Sequence, residues 1–251
     1  MIKSKYQPNY AANRPQMYEI KSREEKALRI IKLLQVHLGK NNLKKLTVLD
    51  VGASTGIIDN YLSRYFKKVV GTDIDKKAIR FAQKNYHQKN LRFKIEDAMK
   101  LTFSDSFFDL VICTHVYEHV PNSQKLFQEI YRVLKPNGIC YLAAINSLWP
   151  IEPHYDLPFL SWLPKNLADS YVKLFQKADE YYEHPQSYWG IKKLTHQFLK
   201  IDYTAQILRE PQKFGFDNKI KGIISPIASL LSPLATYFAP TFFWLLIKND
   251  K

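Results

Sequence analysis

Val48-Leu49-Asp50-Val51-Gly52-Ala53-Ser54-Thr55-Gly56 reads as an apolar strand, starting near Leu46, that runs into a glycine-bearing turn at Gly52–Gly56. A helix is predicted from there to about Phe66. Glycine in such a turn removes the side chain that would hold a ligand away from the backbone. Alone, this pattern is weak. Its neighbours give it meaning.

Downstream, Lys68–Asp73 reads as a second strand, and Asp75 can cap a helix running to about His87. Leu91–Ile95 and Phe108–Thr114 follow as strands three and four. A helix opens at Asn122 or Ser123, reaches Leu134 and stops at Lys135-Pro136-Asn137-Gly138, before a fifth strand at Ile139–Ile145. Upstream, Ser22 and Glu25 form a capping-box pattern for a helix to Leu38, with Gly39 as its stop. Alternation of this kind implies parallel strands joined by right-handed helical crossovers. The expected fold is α/β: a doubly wound, mostly parallel seven-stranded sheet with helices on both faces and a cap inserted after strand five.

Residues 1–146 then comprise the first helix and the Rossmann-like core. Residues 147–188 form the cap, where Pro150, Pro153, Pro158 and Pro164 punctuate a stretch rich in tryptophan, tyrosine and phenylalanine. A helix is predicted within it from Lys165 to Lys177. Residues 189–251 complete the core, with a helix at Ile191–Leu199, a sixth strand at Ile201–Arg209 and a last strand at Thr241–Ile247. Residues 222–247 carry no charge, which is long enough for a membrane span. Three prolines and a serine-bearing polar face favour an amphipathic helix followed by that last strand.

The chain has 251 residues, 37 Lys and Arg against 23 Asp and Glu, and a net charge of +14. That balance favours anionic partners, although the cations are spread out rather than blocked together. Cys113 and Cys140 lack metal-type spacing, and Met1–Tyr18 lacks the apolar stretch of a signal peptide. A cytoplasmic setting is expected, with the inner face of a membrane as a place of association.

Chemistry gathers at the carboxyl ends of the predicted strands, where open α/β sheets bind ligands. Asp73 ends strand two, where an acidic residue can accept hydrogen bonds from ribose hydroxyls. Glu96-Asp97-Ala98 follows strand three. Helix capping or loop hydrogen bonding is the competing reading of Asp50, Asp73 and Asp97. A dehydrogenase would need Gly-x-Gly-x-x-Gly, and this turn has only Gly52 and Gly56.

Together, Asp50-x-Gly52-x-x-x-Gly56, Asp73, Asp97, the Phe108–Thr114 strand and Arg132-Val133-Leu134-Lys135-Pro136-Asn137-Gly138 resemble class I methyltransferases over about residues 45 to 146. The resemblance implies S-adenosylmethionine as cofactor. Asp50, Gly52, Ser54 and Gly56 would hold its methionine moiety, Asp73 the ribose, Ile74 the adenine face, and Asp97 with Ala98 the adenine edge. Thr114 would line the methionine end. Ser54 departs from the glycine more usual in the family.

His115, Glu118 and His119 make a polar cluster. As His-x-x-Glu-His it suggests an inverted zinc peptidase, but that needs a long helix, and this cluster follows a strand and meets Pro121. Glu118-His119-Val120 also resembles the Glu-x-x-Glu-His-Val segment of ubiquinone-pathway O-methyltransferases, which can hold a divalent ion. Here His115 replaces the first glutamate. Magnesium prefers oxygen, so no metal ligands are expected, and a loop-orienting role is the plainer reading of Glu118 and His119.

Methyl transfer needs an acceptor placed in line with the departing sulfur, and a hydroxyl acceptor is helped by a base. His115, His119 and His154 are the candidates. The aromatic cap points to a small, hydrophobic or lipid-linked acceptor, with O-methylation favoured over C- or N-transfer and with peripheral contact to an anionic membrane. Ordinary core packing would explain the same aromatics. The alternatives are an RNA or nucleic-acid methyltransferase, which the absence of an Asn/Asp-Pro-Pro-aromatic segment disfavours, and a catalytically degenerate S-adenosylmethionine-binding protein.

Overall fold

The structure is a computed structural model that describes residues 6–7, 10–12, 14–216 and 236–249. Five strands form in the predicted order: β1 (Thr47–Val51), β2 (Lys68–Asp73), β3 (Leu91–Ile95), β4 (Phe108–Thr114) and β5 (Leu134–Ile145). Between them lie α2 (Ile57–Leu62), α3 (Lys76–Asn85) and α4 (Ser123–Val133), after the N-terminal α1 (Ile20–Leu38). Asp75 accepts from the N–H groups of Lys77 and Ala78 and caps α3, while Asn122 accepts from Lys125 and caps α4.

Two short strands, β6 (Ile151–Glu152) and β7 (Leu157–Pro158), pair as a separate ribbon. They precede α5 (Lys165–Leu174), α6 (Tyr188–Leu194), β8 (Phe198–Asp202), α7 (Thr204–Arg209) and β9 (Thr241–Lys248). The main sheet has seven strands in the order β3-β2-β1-β4-β5-β9-β8. Every neighbour pairs in parallel except β9, which is antiparallel to both β5 and β8. The expected doubly wound architecture stands.

The sheet is covered on both faces, so its inner strands are apolar throughout rather than alternating. Val48, Leu110 and Ile112 pack with Ile30, Leu34, Ile58 and Ile79 on one face. Leu49, Val111 and Cys113 pack with Leu126, Phe127, Ile130 and Ile191 on the other. A third cluster, around Tyr155, Leu160, Val172 and Tyr181, belongs wholly to residues 155–181. The two cysteines are free and buried.

The strand order reverses direction at β1, which lies between β2 and β4. Chain connections leave β1 towards β3 on one side and continue from β4 to β5 on the other. A crevice therefore opens at the carboxyl ends of these strands.

Several boundaries differ from the sequence reading. Helix α1 begins at Ile20, and Ser22 lies inside its first turn, donating back to the Glu19 carbonyl instead of capping. Residues 198–209, read as the end of a helix and then a strand, are a strand followed by a helix. Ser187 caps α6 early by accepting from Gly190, so the helix is spent by Leu194. Asp202 then accepts from the Thr204 N–H and turns the chain into α7. A short apolar run fits either period, and here local side-chain caps decide. The predicted amphipathic segment falls mostly on residues 217–235, outside the described residues. Among the described residues no helix is long and apolar enough to cross a membrane.

Candidate functional site

A cavity of about 940 Å³ opens at the carboxyl ends of β1, β2, β3 and β4. The turn after β1 forms its floor. Gly52 has φ +84°, its N–H donates to Thr72 O at 2.8 Å, and a Cβ there would stand 2.4 Å from Val116 Cγ2. Ser54 has φ +50°, a left-handed conformation that favours glycine, which accounts for the family's usual residue at this position. Its N–H donates to Asp73 Oδ2 at 2.8 Å, and its buried hydroxyl has no partner.

Asp73 also accepts from the Asp75 N–H through Oδ1 at 2.8 Å. Each oxygen keeps a second lone pair for a ligand. Beside it, Ile74 is 40 % exposed into the same space, and Ala98 lines the wall after β3. This end thus offers one carboxylate and an apolar face. Gly52, Ser54, Asp73, Ile74, Ala98, Thr114, His115, His119 and His154 all line the cavity.

Asp50, Gly56 and Asp97 do not. Gly56 (φ +75°) starts α2, and its missing Cβ makes room for Phe93 and Ala82. Asp97 accepts from the Tyr6 hydroxyl at 2.6 Å and the Met99 N–H at 2.8 Å. Asp50 lies beneath the turn, buried with Asp59 and near Arg23. Burial raises the Asp59 carboxyl to about 7, and burial with the neighbouring Asp59 raises Asp50 well above the carboxylate range. Such a pair shares a proton, and Arg23 balances the remaining charge.

The other end of the cavity is built by β4 and by residues 152–183. His115 follows β4 at φ +54°, and its Nδ1 lies 3.7 Å from Glu118 Oε1. Strained backbone of this kind persists where the surroundings over-determine it. Burial, then Lys26, His154 and Arg23, depress the His115 imidazole, so it is neutral. His119 Nε2 and His154 Nε2 are 3.2 Å apart. His154 Nδ1 meets Glu152 Oε1 at 2.7 Å, and His119 Nδ1 lies 3.6 Å from Glu183 Oε1. Burial opposes charge on His154, but Glu152 outweighs it and raises the imidazole. Burial and then His154 push His119 far down. Arg14 completes the group, 3.6 Å from Glu183 and donating to the His154 carbonyl at 3.1 Å.

This arrangement can hold a proton on the His154–Glu152 couple and present neutral imidazole to a reactant. A magnesium site of the kind that the Glu-x-x-Glu-His-Val segment can hold does not fit these residues. His115 stands where an oxygen donor is needed, and imidazole nitrogens crowd the remaining glutamate.

Sequence reading missed the roof. Tyr6, Tyr10, Arg14 and Met17 line the cavity ahead of α1, joined by Arg23 and Lys26 from α1 itself. The Met17 carbonyl accepts from the Thr55 hydroxyl at 2.6 Å. Nothing in the residues before α1 shows a period, so no local signal marks them. Glu152 and Glu183 were also missed, being far in sequence from the groups they touch.

Residues 49–142 match the family model described as a methyltransferase domain. The ubiquinone biosynthesis O-methyltransferase of Rickettsia akari is 32 % identical over 161 residues, covering 61 % of this chain and 62 % of that protein. Its namesake from Rickettsia typhi is 35 % identical over 165 residues, covering 61 % and 63 %. The match therefore spans less than two thirds of these relatives' length. Among solved structures, the plantazolicin methyltransferase BpumL, in complex with a monoazolic desmethylPZN analog and SAH, superposes with a TM-score of 0.59 at 17 % identity, over 96 % of this chain and 89 % of that one. The [4+2]-cyclase SpnF gives 0.53 at 16 %, over 89 % and 81 %. At such identities the likeness is one of fold, and it extends to a protein named for other chemistry.

Proposed function

We propose that this chain, which carries a class I S-adenosylmethionine-dependent methyltransferase domain, moves the methyl group of S-adenosylmethionine to a hydroxyl of a small, apolar acceptor. One observation carries this reading. A single cavity joins the Asp73–Ile74–Ala98 wall to the histidine–carboxylate cluster, so a donor and an acceptor fit end to end. Asp73 would take the ribose hydroxyls, Ile74 and Ala98 the adenine, and the Gly52–Ser54 turn with Thr114 the methionine end. Displacement at the methyl carbon then needs mainly position and exclusion of water. Held there, S-adenosylmethionine would supply the methyl group from its sulfonium, which becomes a neutral thioether. The acceptor hydroxyl loses its proton to a neutral imidazole at this end of the cavity, His115 in this reading.

The relatives named ubiquinone biosynthesis O-methyltransferase support an acceptor hydroxyl on an apolar molecule. Residues 147–188 serve in this reading as a substrate cap. They expose Ile151, Phe159, Trp162, Leu167, Leu174 and Phe175, which suits a lipid-linked acceptor met at an anionic membrane face. The test is incubation of purified protein with deuteromethyl S-adenosylmethionine and a lipid extract, followed by mass spectrometry. Label on an apolar phenol or alcohol is expected. Label confined to added RNA, or none despite measurable cofactor binding, would overturn the assignment.

A further inference from the structure

We propose that His119, His154 and Glu118 form a binding site for a divalent ion of the zinc type, with its fourth position open to the cavity. The two Nε2 atoms face one another at 3.2 Å. That matches the separation of about 3.3 Å between two nitrogens on one tetrahedral zinc with its usual bond lengths. A carboxylate turns the His154 ring this way from behind, Glu152 meeting Nδ1 at 2.7 Å, while Glu183 lies 3.6 Å from His119 Nδ1, beyond hydrogen-bond reach. A carboxylate in the place of Glu152 fixes the tautomer of a ligating imidazole and strengthens it as a donor. The two Nε2 atoms point at one place, where a cation can take a lone pair from each.

Glu118 is the third donor. It is fully buried, and neither carboxylate oxygen has a hydrogen-bond partner. One ligand atom from each of Glu118, His119 and His154 falls within 4.8 Å of the other two. A buried carboxylate without partners is costly unless a cation meets it. Glu118, Glu152 and Glu183 are all buried, and Arg14 contacts only Glu183 among them. Three buried carboxyl groups so placed favour a cation among them.

Two imidazoles and one carboxylate around an open position make a donor set of the kind found in catalytic zinc sites. Magnesium prefers six oxygens and is excluded by the same chemistry. His115 takes the place of the first glutamate in the Glu-x-x-Glu-His pattern, and His154, 35 residues beyond His119, supplies a further ligand. His119 and His154 line the cavity, so the open position faces the acceptor end.

Metal binding is read independently of methyl transfer. The full-length protein is stripped with EDTA, dialysed and titrated with cobalt(II), zinc and magnesium. We expect one equivalent of cobalt, with the visible absorption of a nitrogen- and oxygen-ligated ion, displaced by zinc and indifferent to a large excess of magnesium. Zinc affinity should fall more than about 100-fold in His119→Ala and His154→Ala, and about 10–100-fold in Glu152→Gln, which lies behind the ligand His154 and is not itself a ligand. His196→Ala, an exposed histidine elsewhere, should change nothing. Cooperative thermal melting checks that the variants fold, and where one does not, the cobalt spectrum of the unaltered protein decides. No stoichiometric cobalt, effective competition by magnesium, or undiminished zinc binding in folded His119→Ala and His154→Ala would overturn the proposal.

Discussion

The backbone N–H of Ser54 donates to Asp73 Oδ2 at 2.8 Å, tying the turn after β1 to the last residue of β2. One carboxylate thus fixes the loop and, in our reading, keeps lone pairs free for a ribose. Asp73→Ala should weaken S-adenosylhomocysteine binding by roughly 1–3 kcal/mol, the scale of losing hydrogen bonds to a charged group. Isothermal titration checks this. Affinity unchanged in a folded variant would remove Asp73 from the cofactor site.

Gly52 combines a left-handed backbone with no space for a side chain, since a Cβ would meet Val116 Cγ2 at 2.4 Å. Gly52→Ala should cost about 1–3 kcal/mol in urea unfolding, from strain and overpacking together. Adding Val116→Ala should recover only part of the loss, because it relieves the clash and not the dihedral. Full recovery in the double variant would show that the turn tolerates alanine's backbone.

The buried Asp50–Asp59 pair gives the fold a pH dependence of definite sign. Burial raises the Asp59 carboxyl from 3.8 to about 7. Its protonated form therefore favours the folded state, a contribution complete below about pH 4 and lost as pH rises through about 7. Asp59→Asn should raise the melting temperature more at pH 8 than at pH 5, by an amount worth roughly 1–2 kcal/mol at the higher pH once the nearby Arg23 charge is discounted. An equal change at both values would contradict a shared buried proton.

Tyr6, in the cavity wall, donates to Asp97 at 2.6 Å, and burial, then Asp97, holds its phenol well above the usual tyrosine range. It donates, therefore, throughout the working pH range. Tyr6→Phe should leave the melting temperature almost unchanged while weakening cofactor affinity by up to about tenfold, the worth of one charge-assisted hydrogen bond. The expected route is faster dissociation, measurable by stopped-flow fluorescence. A stability loss without any change in dissociation would make this contact purely structural.

Local pattern determined much of this protein. Buried runs such as Val48–Val51 and Leu110–Cys113, the caps at Asp75 and Asn122 and the stop at Gly39 act within a few residues, so their periodicity declares parallel strands and crossovers. The placing of Asp73, Ile74 and Ala98 at strand ends follows from the same alternation. Tertiary structure alone decided the rest. It buried Asp50 against Asp59, brought the aperiodic residues around Tyr6 and Arg14 over the cavity, and set His154 against His119. Those contacts join residues 9 to 169 positions apart, through folding of the whole sheet, and no local spacing encodes them.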